Sequence, residues 1–201
     1  MFVAYEGVDK SGKSTLSVNF QRWLNDEYRD ADGMLKVDPH LGDFIWTKEP
    51  SFSSDEADLL NSGESPMNEY QRERMFFESR MRHQELLGCH NVICDRYVWS
   101  GIAYAWIYSR GCYEFVKELY LSENLFMAPD LYVFVDTPPE VCYDRDCSLD
   151  LDKLKAIREA YLTTKSYIKT PIITIQGLGG EQRTLDRMVT MFLEWTKKAT
   201  G

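Results

Sequence analysis

Short apolar runs alternate along the chain with longer stretches in which apolar residues return every three or four positions. Residues 2–5 form an apolar run ended by a Gly-rich turn, which predicts a strand. Over residues 13–28, Leu16, Phe20, Trp23 and Leu24 fall at i, i+4, i+7 and i+8, one face of a helix. Residues 43–47 predict a weak strand that the Glu49-Pro50 step ends. Residues 51–64 are polar and predict a loop with a short helix. A long helix follows over 67–87, with Tyr70, Phe77, Met81 and Leu87 inward. Residues 91–94 predict a buried strand that ends at Asp95, and 99–109 and 113–122 two helices parted by Arg110-Gly111. Residues 131–135 are a near-continuous apolar strand, and Pro139 suits a first helical position. A helix over 151–168, a strand over 172–175 and a last helix carrying Leu185, Met188, Val189, Phe192 and Trp195 complete the order. Strands alternating with helices imply an α/β fold: a five-stranded, mostly parallel sheet with helices on both faces. In such a sheet ligands bind beyond the carboxyl ends of the strands, so the residues that close each strand are the ones to inspect.

The 201 residues predict a single domain, 1–201. Hydrophobic residues make up 44% and charged residues 27%, ordinary values for a water-soluble globule. The net charge of −9 argues against a protein that coats nucleic acid or binds an anionic membrane, both of which need a basic field. It leaves room for a local cluster of donors around a phosphate. The five cysteines, Cys89, Cys94, Cys112, Cys142 and Cys147, are odd in number and form no C-x-x-C pair. Reduced thiols in the cytoplasm are the expectation. The N-terminus lacks the basic region of a signal peptide, and no apolar run approaches the roughly 20 residues of a membrane span.

The sharpest signal is Gly7-Val8-Asp9-Lys10-Ser11-Gly12-Lys13-Ser14, which matches G-x-x-x-x-G-K-[ST]. Chance produces the pattern in roughly one chain of this length in a hundred. Here an apolar strand precedes it and an amphipathic helix follows, the order a phosphate-binding loop requires. Lys13 is placed to reach the β- and γ-phosphates of a nucleotide, and Ser14 to offer its hydroxyl to Mg²⁺. The plain alternative is a Gly-rich turn before a helix. A second signal is Asp95-Arg96-Tyr97, where an acid closing a strand can hold Mg²⁺ and the arginine can clamp a phosphoryl group. Its plain alternative is a surface salt bridge.

Glu6 through Thr15, then Thr47-Lys48-Glu49-Pro50, then Phe76-Phe77-Glu78-Ser79-Arg80, then Asp95-Arg96-Tyr97-Val98-Trp99-Ser100-Gly101-Ile102-Ala103-Tyr104, then Pro129-Asp130-Leu131 appear in order. Together they resemble the thymidylate kinase family over about residues 2–140. The resemblance implies a P-loop kinase that transfers the γ-phosphate of ATP to the 5′-phosphate of dTMP, giving dTDP and ADP. It implies that Gly7, Val8, Asp9, Lys10, Ser11, Gly12, Lys13, Ser14 and Thr15 hold ATP, and that Ser14 and Asp95 hold Mg²⁺. Asp9 matches the acid near the acceptor sugar, and Lys48 stands where the family has an arginine toward the acceptor phosphate. Phe76 and Arg80 match the pair that stacks on the thymine ring and bonds its carbonyl edge. Arg96 matches the acceptor-phosphate clamp, with Tyr97, Ser100, Gly101 and Tyr104 lining the sugar and base pocket. Lys10 fills the position of a catalytic P-loop arginine. The lid, residues 142–150, is short and acidic, and Arg145 is its one arginine. Lys13, Arg96, Lys10, Asp9 and Arg145 are therefore the expected catalytic set. The resemblance also implies a homodimer, with residues 67–87 as a candidate face, and small nucleotides rather than a nucleic-acid polymer or membrane as partners.

Other readings stay open on the residues. The acceptor is dTMP in the main reading, with dUMP or a 5-substituted pyrimidine deoxynucleotide as the alternative. A deoxynucleoside kinase would need a general base near a 5′-hydroxyl, for which Glu6 or Asp95 is available. A nucleotide-binding regulator without turnover would not need the acceptor clamp. His40, His83 and His90 are scattered, and surface or packing roles are expected for them.

Overall fold

A computed structural model of the chain describes residues 1–28, 43–54, 56, 67–88, 90–122 and 125–199. His40, Cys89 and most of the expected 51–64 segment lie outside these residues. Five strands, β1 (Phe2–Glu6), β2 (Phe44–Lys48), β3 (Asn91–Asp95), β4 (Leu131–Val135) and β5 (Ile172–Ile175), form one sheet in the order β2-β3-β1-β4-β5. Every strand pair is parallel.

Among the described residues seven α-helices connect and cover the strands. They are α1 (Lys13–Asp26), α2 (Glu69–Leu87), α3 (Val98–Tyr108), α4 (Tyr113–Leu121), α5 (Pro139–Arg145), α6 (Leu151–Thr164) and α7 (Glu181–Ala199). The expected helix over 151–168 ends earlier, at Thr164, and tightens into a 3₁₀ turn over Lys165–Tyr167.

β1, β3 and β4 are buried at every position, so they read as unbroken apolar runs instead of alternating ones. Alternation still decides which core each residue enters. Val3, Tyr5, Ile93, Leu131, Val133 and Val135 face a core built with Leu16, Phe20 and Leu24 of α1 and Met188 and Phe192 of α7. Phe2, Ala4, Val92, Cys94, Tyr132 and Phe134 face the opposite core, built with α3, α4 and α6.

α2 begins in a capping box. Asn68 accepts the Gln71 amide at 2.9 Å, and the Gln71 side chain accepts the Asn68 amide at 3.0 Å, which satisfies two otherwise free donors. Tyr70, expected to face inward, is 59% exposed and lies at a tilt against Phe115 on the surface, ring centres 6.4 Å apart. Two turns later the helix turns Phe77 toward the core and Phe76 toward a cleft.

The register aligns Lys48 with Asp95, and Tyr5 with both Asp95 and Val133. The carboxyl ends of β2, β3, β1 and β4 therefore share one edge, and the loops that leave them converge there. Trp99 fastens α3 to α6 beneath that edge. It is fully buried, donates from Nε1 to Thr164 Oγ1 at 3.0 Å and packs edgewise on Tyr132 and Tyr161. Trp99→Ala is expected to cost about 3–5 kcal/mol in urea unfolding, the range for deleting a large buried aromatic. A cost below 1 kcal/mol would contradict this packing.

Candidate active site

The loop after β1 needs backbone conformations that most residues avoid. Gly12 at the start of α1 has φ 95°, and Lys10 has φ 60°. A side chain at Gly7 would place its Cβ 2.6 Å from the Val135 carbonyl, so the loop can lie close to β4 only with glycine there. α1 follows at once and aims its positive end at the same space. Lys13 is 5% exposed and bends back to donate to the Val8 carbonyl at 3.2 Å. Burial, helped by Arg96, lowers its ammonium to a pKa of about 8.

Asp9 through Leu16 line a cleft of about 530 Å³ together with Lys48, Arg96, Arg145, Gly177, Glu181 and Thr184. Arg145, at the end of α5, folds over the loop. It donates to the Lys10 carbonyl at 2.8 Å and to the Gly177 carbonyl at 2.6 Å. The ammonium of Lys10 points outward to Asp146, 3.0 Å away. Hydrogen bonds from Ser148 and from Lys10 hold the Asp146 carboxyl at about 2. Gly177 sits so close to the P-loop that a Cβ there would overlap Ser11 O and Thr137 Oγ1. The Ile175-Gln176-Gly177 stretch therefore contributes Gly177 to this cleft, whereas Gln176 lines a separate groove against α7.

At the floor, Ser14 Oγ donates to Asp95 Oδ2 at 2.5 Å. Asp95 Oδ1 is buried and has no hydrogen-bond partner among the described residues. An orphaned carboxylate oxygen beside a P-loop hydroxyl suits a hard cation such as Mg²⁺.

A second cleft, of about 380 Å³, opens between α2 and α3 and is lined by Pro50, Phe76, Arg80, Ser100, Gly101 and Tyr104, among others. It shares two residues with the first cleft, Asp9 and Arg96. Arg96 has φ 72°, a strained conformation for a residue with a side chain, and it stands where the chain leaves β3 for α3. Its guanidinium pairs with Asp9 at 2.6 Å, lies 5.0 Å from the Tyr104 ring centre and reaches Tyr161 Oη at 3.3 Å. Tyr104 Oη also donates to Asp9, at 3.0 Å. Burial raises the Asp9 carboxyl, but Arg96 and Lys13 outweigh it and hold the pKa below its ordinary value.

Arg80 is 3% exposed and fixed from three sides. Its Nε lies 2.8 Å from Glu49 Oε2, its Nη1 donates to Tyr120 Oη at 2.6 Å, and its guanidinium lies 6.0 Å from the Phe76 ring centre. His83 Nδ1 contacts the other Glu49 oxygen at 2.7 Å. Cys94 comes within ligand distance of Glu49 and His83. Glu49 is committed to Arg80 and His83, and the Cys94 thiol donates to the Arg96 carbonyl at 2.9 Å, so all three side chains already have partners behind the cleft. Gly101 presents backbone only, because a Cβ there would meet the Tyr120 ring at 2.7 Å.

One expected lining residue is elsewhere. Tyr97 precedes α3, is fully buried and packs on Phe2 and Phe126, with its hydroxyl donating to the Met127 carbonyl at 3.0 Å. The left-handed turn at Arg96 sends the arginine toward the cleft and leaves Tyr97 in the core. Tyr120, Tyr161, Thr184 and Glu73 also belong to the site, and each is placed by long-range packing with no local pattern to mark it. Glu49 lies in the Thr47-Lys48-Glu49-Pro50 run, which by itself assigned it no role.

Glu6 ties the two clefts to the sheet. It is fully buried and accepts the amides of Tyr97 and Ser100 at 2.9 and 3.1 Å, as well as the Ser100 hydroxyl. Tyr161 Oη donates to it at 3.2 Å. Burial raises its pKa from 4.5 to about 7 against these hydrogen bonds and the nearby Arg96. A carboxyl raised by folding contributes stability that is complete below the unfolded value of 4.5 and is lost as pH rises through about 7. Between pH 4.5 and 8 the protein is expected to lose about 3 kcal/mol more than Glu6→Gln does in urea unfolding. Equal losses would show that Glu6 does not titrate in this way.

The family model for thymidylate kinase matches residues 5–165. The chain is 28% identical over 224 residues to the thymidylate kinase of Mycoplasmopsis agalactiae, covering 98% of this chain and 99% of that protein. It is 26% identical over 208 residues to that of Ligilactobacillus salivarius, covering 92% and 93%. It is 29% identical over 156 residues to that of Mesomycoplasma hyopneumoniae strain 7448, covering 72% and 69%. Among the described residues no helix is long and apolar enough to cross a membrane.

Proposed function

This chain belongs to the thymidylate kinase family and is a nucleoside monophosphate kinase, and on that premise we propose that it moves the γ-phosphate of ATP to the 5′-phosphate of dTMP, giving ADP and dTDP. The observation that carries the reading is the junction of the two clefts at Asp9 and Arg96. A donor phosphate in one cleft and an acceptor phosphate in the other meet at that point.

In-line phosphoryl transfer needs alignment and positive charge and no covalent enzyme intermediate. On the donor side the P-loop amides and the α1 terminus take the phosphate oxygens, and Lys13 leaves the Val8 carbonyl for the β- and γ-phosphates. Ser14 and Asp95 are the residues that would hold Mg²⁺, an ion that neutralises charge on the β- and γ-oxygens. Arg145 already rests on the loop and supplies a further cation above it. Gly177 and Thr184 frame the nucleoside end of the donor.

On the acceptor side Arg96 releases Asp9 to take the acceptor phosphate, with Lys48 as a second charge at the end of β2. Asp9 then becomes free to accept the sugar hydroxyl, with Tyr104 beside it. Phe76 stacks on the base, and Arg80, already oriented by Glu49 and Tyr120, donates to its carbonyl edge. The reading further takes residues 142–150 as the lid of a single-domain enzyme that works as a cytoplasmic homodimer.

A hydroxyl acceptor fits less well. It calls for a general base, and neither Glu6 nor Asp95 lines either cleft: Glu6 spends its oxygens on the first turn of α3, and Asp95 accepts the Ser14 hydroxyl.

Steady-state ADP release is expected with dTMP and not with thymidine. dUMP and 5-substituted analogues measure how far the pocket tolerates change at C5. Turnover of thymidine in preference to dTMP would replace the reading with a nucleoside kinase. Arg96→Ala is expected to lower kcat/KM for dTMP at least a hundredfold, the scale for removing a positioned charge from the reacting centre. Arg145→Ala is expected to lower kcat at least tenfold at saturating ATP, and unchanged turnover would remove Arg145 from the catalytic set.

A further inference from the structure

The cleft between α2 and α3 contains a carboxylate that phosphoryl transfer leaves unused. Glu73 lines this cleft and is only 9% exposed. Its Oε1 accepts the hydroxyl of Ser109, just past the end of α3, and lies 3.9 Å from Arg72 Nε. Its Oε2 takes no hydrogen bond among the described residues and is not one of the fully enclosed polar atoms, so it keeps access to the cleft. Burial raises the Glu73 carboxyl above its ordinary value, while Ser109, Arg72 and Arg80 act in the opposite sense. A carboxylate placed this way costs free energy unless something donates to it.

The helix puts this acceptor in line with the base-stacking ring. Glu73, Phe76 and Arg80 follow i, i+3 and i+7, so one face of α2 carries all three. Side chains on a helix lean toward its N-terminus, which brings the Arg80 guanidinium back over Phe76 in the direction of Glu73. Arg80 offers only donors, and ionised Glu73 offers only acceptors. A base lying on Phe76 therefore meets a donor at one end of its polar edge and an acceptor farther along. Thymine and uracil answer with a carbonyl beside an N–H. Guanine answers with a carbonyl, an N–H and then an amino group, so its donors extend farther toward Glu73. Adenine and cytosine turn an amino group to the arginine, donor against donor.

We propose that Glu73 is a specificity-determining residue that accepts hydrogen bonds from N–H groups of the acceptor base, and that it extends the acceptor range to dGMP. The inference rests on the acceptor site described under Proposed function. A site built to receive a polar group discriminates strongly against a ligand that lacks it, because its own partner is left unpaired.

The test is ADP release by the full chain with dTMP, dGMP and dIMP, the last keeping the carbonyl and ring N–H of guanine without its amino group. dGMP is expected to be turned over, with kcat/KM at least tenfold above that of dIMP. Glu73→Gln is expected to lower the ratio of dGMP to dTMP kcat/KM at least tenfold, with its melting temperature checked alongside. Turnover of dTMP without dGMP overturns the inference and leaves the dTMP reading intact. Equal values for dGMP and dIMP in the unaltered protein overturn it as well. A Glu73→Gln variant that weakens both acceptors by one factor assigns Glu73 to bracing the end of α3 and overturns it too. No ADP release with any monophosphate overturns the dTMP reading and this inference together.

Discussion

A carboxylate buried at the end of the central strand gathers the first turn of α3 around itself. Glu6 takes the amides of Tyr97 and Ser100, and through them it fixes where the chain turns after β3. That turn forces Arg96 to a positive φ and holds its guanidinium over the line where the two clefts join. An arginine on an unrestrained loop would cover the same space only part of the time. Here the rigid sheet, the buried acid and the helix start leave it one place to be. The cost is a strained backbone and a desolvated acid, both typical of sites where geometry serves chemistry.

Charge is organised on the same principle. The chain carries −9 overall, yet Lys10, Lys13, Lys48, Arg96 and Arg145 collect along one edge of the sheet, lining the P-loop cleft. Arg80 lies farther along, lining the cleft between α2 and α3. Several of these cations are held by acids: Arg96 by Asp9, Arg80 by Glu49, Lys10 by Asp146. The pairings of Arg96 and Arg80 keep buried guanidinium groups solvated by the protein, whereas the Lys10 pair lies half exposed at the rim. Among the described residues only Asp9 and Arg96 line both clefts, so in the proposed reading a ligand that engages this pair from one side would alter the other directly.

Much of this was legible in the residues. The alternation of apolar runs with helical spacing gave the sheet and its helices, since three strands buried on both faces leave no other pattern. The P-loop was legible because its glycines answer to local backbone demands. Phe76 and Arg80 were legible as a pair four apart on a helix. What stayed hidden depended on contacts distant in sequence or on a single dihedral angle. Tyr97 was expected in the pocket because the resemblance carries the whole Asp95-to-Tyr104 run there, and the left-handed turn at Arg96 leaves it in the core. Glu49 stood out as part of the Thr47-Lys48-Glu49-Pro50 run, but its pairing with Arg80 shows only once β2 brings the two together. Glu73 and Tyr70 lie in a polar helix whose inner face the periodicity marked only faintly, and the two exchange the environments their polarity suggests.

The central claim is that donor and acceptor sites are two halves of one cavity joined at Arg96. A bisubstrate analogue with adenosine and thymidine linked through five phosphates measures this most directly. In equilibrium binding it is expected to compete with both ATP and dTMP, and to bind more tightly than either. Competition with only one of the two, at an affinity no better than that ligand alone, would contradict the account.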